Sequence, residues 1–295
     1  MIAEISLHTV RQNHYFTVKT NYLKKTTFVL LLFISVCCSS QTMRRPVAAG
    51  YAGTGAYSLN HADVFSFTSN QASLAQLKNT AAGVYAERRF MLTELNYYTA
   101  VAGLVTSSGN FGLKTGYSGF TDYNETQLGL AYARKLGDKM DIGVQFNYNS
   151  IRIPVYGSAS AISFEAGTVL HLTEKIHAGI QINNPVGGKF GKAQEEKLPS
   201  VYSFGMGYDA SEKFFVSAEI IKEEDQPVNV NAGLQYKFLP QLLARMGIAS
   251  ATSSVWAGAG LSWKSFRIDV TASYHPQLGI TPGLLLLFNF YKKDK

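Results

Sequence analysis

The sequence predicts an all-β fold: a transmembrane antiparallel β-barrel of about 14 strands with an N-terminal plug segment. Three observations point there. From residue 81 onward the polarity alternates with period two, as in an extended strand with one apolar and one wet face. The alternating segments run to about 9–13 residues, enough for a tilted strand to cross a bilayer and longer than the roughly 5–6 residues usual in globular sheets. Only 16% of the 295 residues are Asp, Glu, Lys or Arg, against about 25% in an ordinary soluble protein, although mean hydropathy is near zero. A strand with one lipid-facing side has half its positions closed to charge, which accounts for both numbers.

Residues 1–40 read as an export signal. Lys24 and Lys25 precede an apolar stretch at 26–38, and the small residues Ser39 and Ser40 follow, which places cleavage after Ser40. A buried core helix, or a lipoprotein signal using Cys37 or Cys38, are the other readings of this stretch. Both cysteines of the chain lie inside it, so the remainder has neither a disulfide framework nor a thiolate metal site.

Residues 41–80 break the alternation. They are rich in small residues, with Gly50, Gly53, Gly55 and Asp63, and residues 71–77 are compatible with a helix. This segment precedes the first strand and is expected to sit in the periplasm or to fill the lumen as a plug, because 14 strands enclose more space than wall side chains fill.

Residues 81–295 form the barrel. Its expected strands are 81–92, 94–106, 111–121, 125–136, 140–152, 159–172, 176–184, 198–209, 214–223, 228–238, 242–251, 254–264, 266–275 and 282–291. In 228–238, Val228, Val230, Ala232, Leu234, Tyr236 and Phe238 oppose Asn229, Asn231, Gly233, Gln235 and Lys237. Joints after even-numbered segments are short and those after odd ones include the long ones at 154–158, 185–197 and 276–281, apart from a very short joint at Thr93. Short turns on one side and long loops on the other suit an outer-membrane barrel of a Gram-negative cell with its N-terminus in the periplasm. Tyr123, Tyr156, Tyr202, Tyr208, Tyr236, Tyr274, Phe290 and Tyr291 are expected in the aromatic girdles.

Other classes fall away. Aromatic residues make up 13% of the chain, too many for disorder at this low charge. No apolar run reaches the roughly 18 residues of a spanning helix. The formal charge of +7 falls to +4 over residues 41–295, too weak for a nucleic-acid partner.

A family resemblance lies in the N-terminal region. Residues 48–58 (AAGYAGTGAYS), Asp63-Val-Phe-Ser66, Asn70-Gln-Ala-Ser-Leu-Ala75 and residues 83–90 resemble the start of the PorV/PorQ-type outer-membrane proteins, themselves similar to the FadL-type fatty-acid channels. Asn70, Ala72, Leu74 and Ala75 match the motif; Gln71 stands where the family has Pro, and Ser73 where it has Gly. The resemblance implies a 14-stranded barrel with a plug and a role in type IX secretion or in attaching exported proteins to the cell surface. Its other branch implies a FadL-like transporter of hydrophobic small molecules such as long-chain fatty acids. The expected partners are outer-membrane lipid, together with secretion-system proteins and exported cargo on the first reading or a hydrophobic ligand on the second.

No catalytic, cofactor-binding or metal-binding set is expected. His171 and His177 flank one short turn on the inner face, where they read as polar lining, and no HExxH or HxxEH spacing occurs. The residues singled out are the plug motif (Gly50, Gly53, Gly55, Asp63, Asn70, Ala72, Leu74) and the inward charges Glu87, Arg89, Lys114, Glu165, Glu219, Lys237, Arg245, Arg267 and Asp269. Both signs occur, so ion pairs between plug and wall are expected, with Glu87 and Arg89 contacting the plug. Ten inward glycines, Gly143, Gly205 and Gly247 among them, leave room for a plug or allow curvature.

Overall fold

A computed structural model of the chain describes residues 49–154, 156–190 and 196–290. The expected export signal, residues 41–48 of the plug and Tyr291 lie outside them.

The strands are β1 (Thr80–Arg88), β2 (Asn96–Thr106), β3 (Gly109–Phe120), β4 (Tyr123–Leu136), β5 (Met140–Ile153), β6 (Gly157–His171), β7 (Ile176–Asn183), β8 (Lys189–Phe190), β9 (Glu196–Lys197), β10 (Val201–Asp209), β11 (Phe214–Glu223), β12 (Asn229–Lys237), β13 (Leu242–Ala249), β14 (Ser254–Trp263), β15 (Phe266–His275) and β16 (Gly279–Phe290). All but β8 and β9 form one closed antiparallel barrel of 14 strands in sequence order. It closes where β1 meets β16, from Thr80↔Phe290 to Glu87↔Gly283. Closure pairs every strand edge, as a bilayer requires.

Alternation decides which side each residue faces. On β4–β6, Leu128, Leu130, Phe146, Tyr148 and Ile162 point outward and are exposed, while Gln145, Asn147 and Glu165 point inward and are buried. Each of the 14 expected segments is a strand, with ends shifted by a few residues.

The first segment is the main correction. It stops at Arg88, because Phe90 and Met91 take left-handed backbone (φ 52° and 61°) that cannot continue a ladder. Two 3-10 turns, Arg89–Met91 and Thr93–Leu95, follow, and Thr281 Oγ1 accepts the Phe90 N–H at 2.9 Å. The joint expected to be very short at Thr93 is therefore a loop, and Arg89 lies past the strand end rather than on its inward face.

The long joint after β7 folds on itself. β8 and β9 pair as a small hairpin, and Phe190 and Leu198 pack on Ile151 and Ala161 at the long-loop end of the barrel. Tyr123 is drawn into this cluster, which takes it out of the expected girdle; Tyr156, Tyr202, Tyr208, Tyr236, Tyr274 and Phe290 are exposed.

Inside the barrel sits the plug. It consists of a short helix, α1 (Ala49–Gly53), and three 3-10 turns, Thr54–Tyr57, Ser66–Thr68 and Gln71–Gln76. The run expected to be helix-compatible is thus a 3-10 segment, capped by Asn70, whose Oδ1 accepts the Ala72 N–H at 3.0 Å. Tyr51, Phe65, Phe67 and Leu74 are almost fully buried against Tyr85, Val101 and Leu285 of the wall. Each such side chain contributes roughly 1.5–3 kcal/mol of transfer free energy, so the plug is held largely by its apolar contacts.

Candidate functional site

Three polar seats fix the plug to the wall. At the first, Asp63 Oδ2 accepts from Arg245 Nη2 (3.1 Å) and Arg267 Nη2 (2.9 Å). Arg245 also donates from Nη1 to the Tyr51 carbonyl at 3.0 Å and lies over the Tyr51 ring; Arg267 donates from Nε to Asp269 Oδ1 at 2.9 Å. Burial alone would raise the Asp63 carboxyl, but the Arg267 and Arg245 guanidiniums overcome it and hold the group below the usual carboxylate range. Burial pushes the Tyr51 phenol well above its ordinary value.

The second seat is Asp209 at the end of β10. It accepts from Ser58 Oγ (2.6 Å) and from the Leu59 N–H (3.0 Å) of the plug. His177 Nε2 lies 3.2 Å from the same carboxylate, His171 Nδ1 lies 3.0 Å from His177 Nδ1, and His171 Nε2 lies 2.9 Å from Asp141 Oδ2. The plug's Gln76 closes this chain by donating to Asp141. The two histidines expected as lining of a wet turn are thus buried plug anchors.

The third seat is on β5–β7. Glu165 accepts from Gln71 of the plug, from Asn147 Nδ2 at 2.8 Å and from Gln181 Nε2 at 3.3 Å. Asn70 Nδ2 donates to the Thr168 and Ile180 carbonyls, each at 3.3 Å.

The other expected residues fall around these seats. Glu219 accepts from the plug's Tyr57 hydroxyl at 2.8 Å. Lys114 is buried on β3 and lines a small polar space with Thr68 and Glu165. Lys237 is half-buried, two residues from Gln235 on the same face. Glu87 accepts from Tyr85 Oη (2.8 Å) and Arg89 Nε (2.9 Å), and Tyr85 belongs to the core shared with Phe65 of the plug. Ala72 and Leu74 are buried.

The inward glycines resolve into close approaches. A Cβ on Gly143 would meet the Gln71 carbonyl carbon at 2.4 Å, and one on Gly205 would meet the Tyr57 ring at 2.1 Å. These positions are glycine because the plug backbone and rings occupy the space. Gly53 and Gly55 are closed the same way within the plug, by Ser69 and by the His61 carbonyl.

Elsewhere the wall is thin. Ser217, Gly233, Gly247, Trp256 and Ser273 are successive cross-strand partners across β11–β15. The Trp256 ring lies across Gly233 and Gly247, and its Nε1 faces Gly50, where a Cβ would stand 2.6 Å away. On the outer side of this row is an apolar recess of about 780 Å³, lined by residues such as Leu234, Met246, Ile248, Ala257 and Ala272. On the inner side is a gap of about 40 Å³ against α1, lined by Gly50, Thr54, Glu219 and Trp256. Both spaces touch Ser217, Gly233 and Trp256.

No protein-family model matches the chain, and no curated protein matches it. Solved structures do. The CymD monoaromatic hydrocarbon channel superposes with a TM-score of 0.62 at 13% identity, over 85% of this chain and 98% of that one. The Ralstonia pickettii toluene transporter TbuX gives 0.61 at 11% identity, over 85% and 100%. A Pseudomonas aeruginosa FadL homologue gives 0.59 at 12% identity, over 82% and 98%. The fold is that of the FadL-like outer-membrane barrels. Nothing among these neighbours supports the finer part of the resemblance, the PorV/PorQ branch and its role in type IX secretion.

Of the plug-to-wall contacts in this FadL-like barrel, sequence reasoning found Asp63, Glu165, Glu219, Arg245 and Arg267. It missed Asp209 and Asp141, although both are acids on inward faces, and it missed Trp256. Each carried a usable signal: a charge or a large aromatic on the wet side of an alternating strand.

Proposed function

We propose that the protein is an outer-membrane channel that passes hydrophobic small molecules, with its N-terminus in the periplasm and a side exit through the wall at β11–β15. One observation carries this reading: a large apolar recess on the outer face of β11–β15, backed on the plug side by Gly233, Gly247 and the Trp256 ring. A path that ends in lipid keeps an apolar solute out of water. The hydrocarbon channel and toluene transporter of the same fold support it. The polar lumen over β4–β7 fits either this reading or secretion, and the apolar recess favours transport.

The test is uptake of labelled toluene by cells that lack other hydrocarbon channels. Ala257 is exposed and lines the recess on the face of the wall away from the plug, so Ala257→Trp fills the exit and leaves the plug in place. The wild-type protein should raise uptake and Ala257→Trp should return it to background. Wild-type uptake no greater than that of empty cells overturns the reading.

A further inference from the structure

The inner gap holds polar groups that the apolar recess lacks, Glu219 and Thr54 among them. Trp256 is 5% exposed, and its indole N–H, a donor only, has no hydrogen-bond partner. Its cross-strand neighbour Ser273, on the side of the outer recess, is 3% exposed, and its hydroxyl is likewise without a partner. A buried donor left unmatched is unfavourable, and an acceptor that reached it would be stabilised there. The Glu219 carboxylate lines the same gap as Trp256, as do the Thr54 and Ser217 side chains.

Resting on the channel reading above, we propose that the molecules carried are apolar bodies bearing one uncharged hydroxyl, that is, monohydric phenols and alcohols. The hydroxyl oxygen accepts from Trp256 Nε1 in the inner gap as the apolar body moves toward the recess. Size supports a small polar group rather than a whole ligand body: the gap is about 40 Å³, and one water needs at least about 10–15 Å³ of such space. Charge supports a neutral one. A carboxylate there would face the Glu219 carboxylate with a donor but no cation lining the gap, whereas a hydroxyl can also donate toward that acid. A plain hydrocarbon fits the recess but leaves the indole N–H unmatched, and a site built to bind a hydroxyl discriminates against the analogue that lacks it.

The experiment uses the full-length protein in detergent, with Trp263→Phe in the background so that Trp256 is the sole indole reporter. Three probes of one shape are titrated: para-propylphenol, propylbenzene and para-propylbenzoate. The phenol should bind about tenfold tighter than propylbenzene, the equivalent of one good hydrogen bond, and the benzoate weakest of the three. Followed by calorimetry, Trp256→Phe should remove the preference for phenol and keep propylbenzene binding. Glu219→Gln should raise benzoate affinity without abolishing that preference. Equal binding of phenol and propylbenzene, or benzoate binding tightest, overturns the hydroxyl assignment and leaves the channel reading standing. Binding of none of the three overturns the channel reading and this inference with it.

Discussion

Gln235 donates from Nε2 to His61 Nδ1 at 2.6 Å, and Arg245 fixes which way round that amide stands by donating from Nε to Gln235 Oε1 at 2.6 Å. An arginine can only donate, so the Gln235 oxygen must face it and the amide nitrogen must face His61. His61 Nδ1 is therefore an acceptor, and Nε2 carries the proton toward the Ser211 carbonyl, 3.2 Å away. The ring is held neutral. Burial is the main reason its pKa is lowered from the ordinary value, with the Lys237 charge adding to it.

The sign of the pH effect follows. The folded plug resists protonation of His61 and the unfolded chain does not, so this contribution is complete above the ordinary histidine value of about 6.5 and is lost as pH falls below it. Thermal unfolding of the wild-type protein in detergent should shift downward between about pH 7 and pH 5, and His61→Gln should flatten that shift. An equally steep profile in the variant would remove His61 from the account.

Asp63 gives a second, more acidic limb. Its carboxyl is held below the usual range, so its contribution is present above the ordinary aspartate value and lost as pH falls through the depressed one. Asp63→Asn leaves two buried guanidiniums without their shared carboxylate, a change that costs about 3–5 kcal/mol when one partner of a buried pair is removed. A lowered denaturation midpoint at neutral pH, and the loss of any further fall below about pH 4, is the expected outcome.

Gly143 and Gly137 should part company under substitution. A Cβ at Gly143 meets plug backbone, so Gly143→Val should displace residues 70–72 and raise conductance in planar bilayers while gel mobility stays heat-modifiable. Gly137 sits in a turn at φ 67° with nothing within 4 Å, and Asn tolerates that left-handed backbone. Gly137→Asn should leave conductance at the wild-type level.

Glu87 and Arg89 bond to each other and, through Tyr85, reach the core that holds Phe65. Substituting both with Ala should loosen the plug and raise conductance. Unchanged conductance would show that this pair serves the wall alone.

The barrel was readable because period-two alternation is imposed by lipid on one side and a wet lumen on the other, so it survives in every strand. Its failures came where local backbone, not polarity, decides. The expected first strand runs on through Phe90 and Met91, yet their left-handed backbone ends it at Arg88. The wall residues that hold the plug were partly readable as inward charges. What single-strand reading could not supply was pairing between distant segments. Asp209 is one acid among many until Ser58, 151 positions away, is set against it. The glycines showed the same limit: alternation put Gly143 and Gly205 inside, but only the plug's position separates making room from allowing curvature.

The Asp63–Arg267 bond joins residues 204 positions apart, and Arg267 lies on the next-to-last strand. The plug is first in the chain, yet its firmest anchors emerge near the end, so it cannot lock until β13 and β15 are in place. The lumen it fills is sealed only when β16 reaches β1. Contacts that wait on barrel closure are expected to form after the folding transition state. Weakening the Asp63 seat should therefore speed unfolding and leave the folding rate almost untouched, so that in a membrane the seat governs how long a finished barrel lasts rather than how fast one is made.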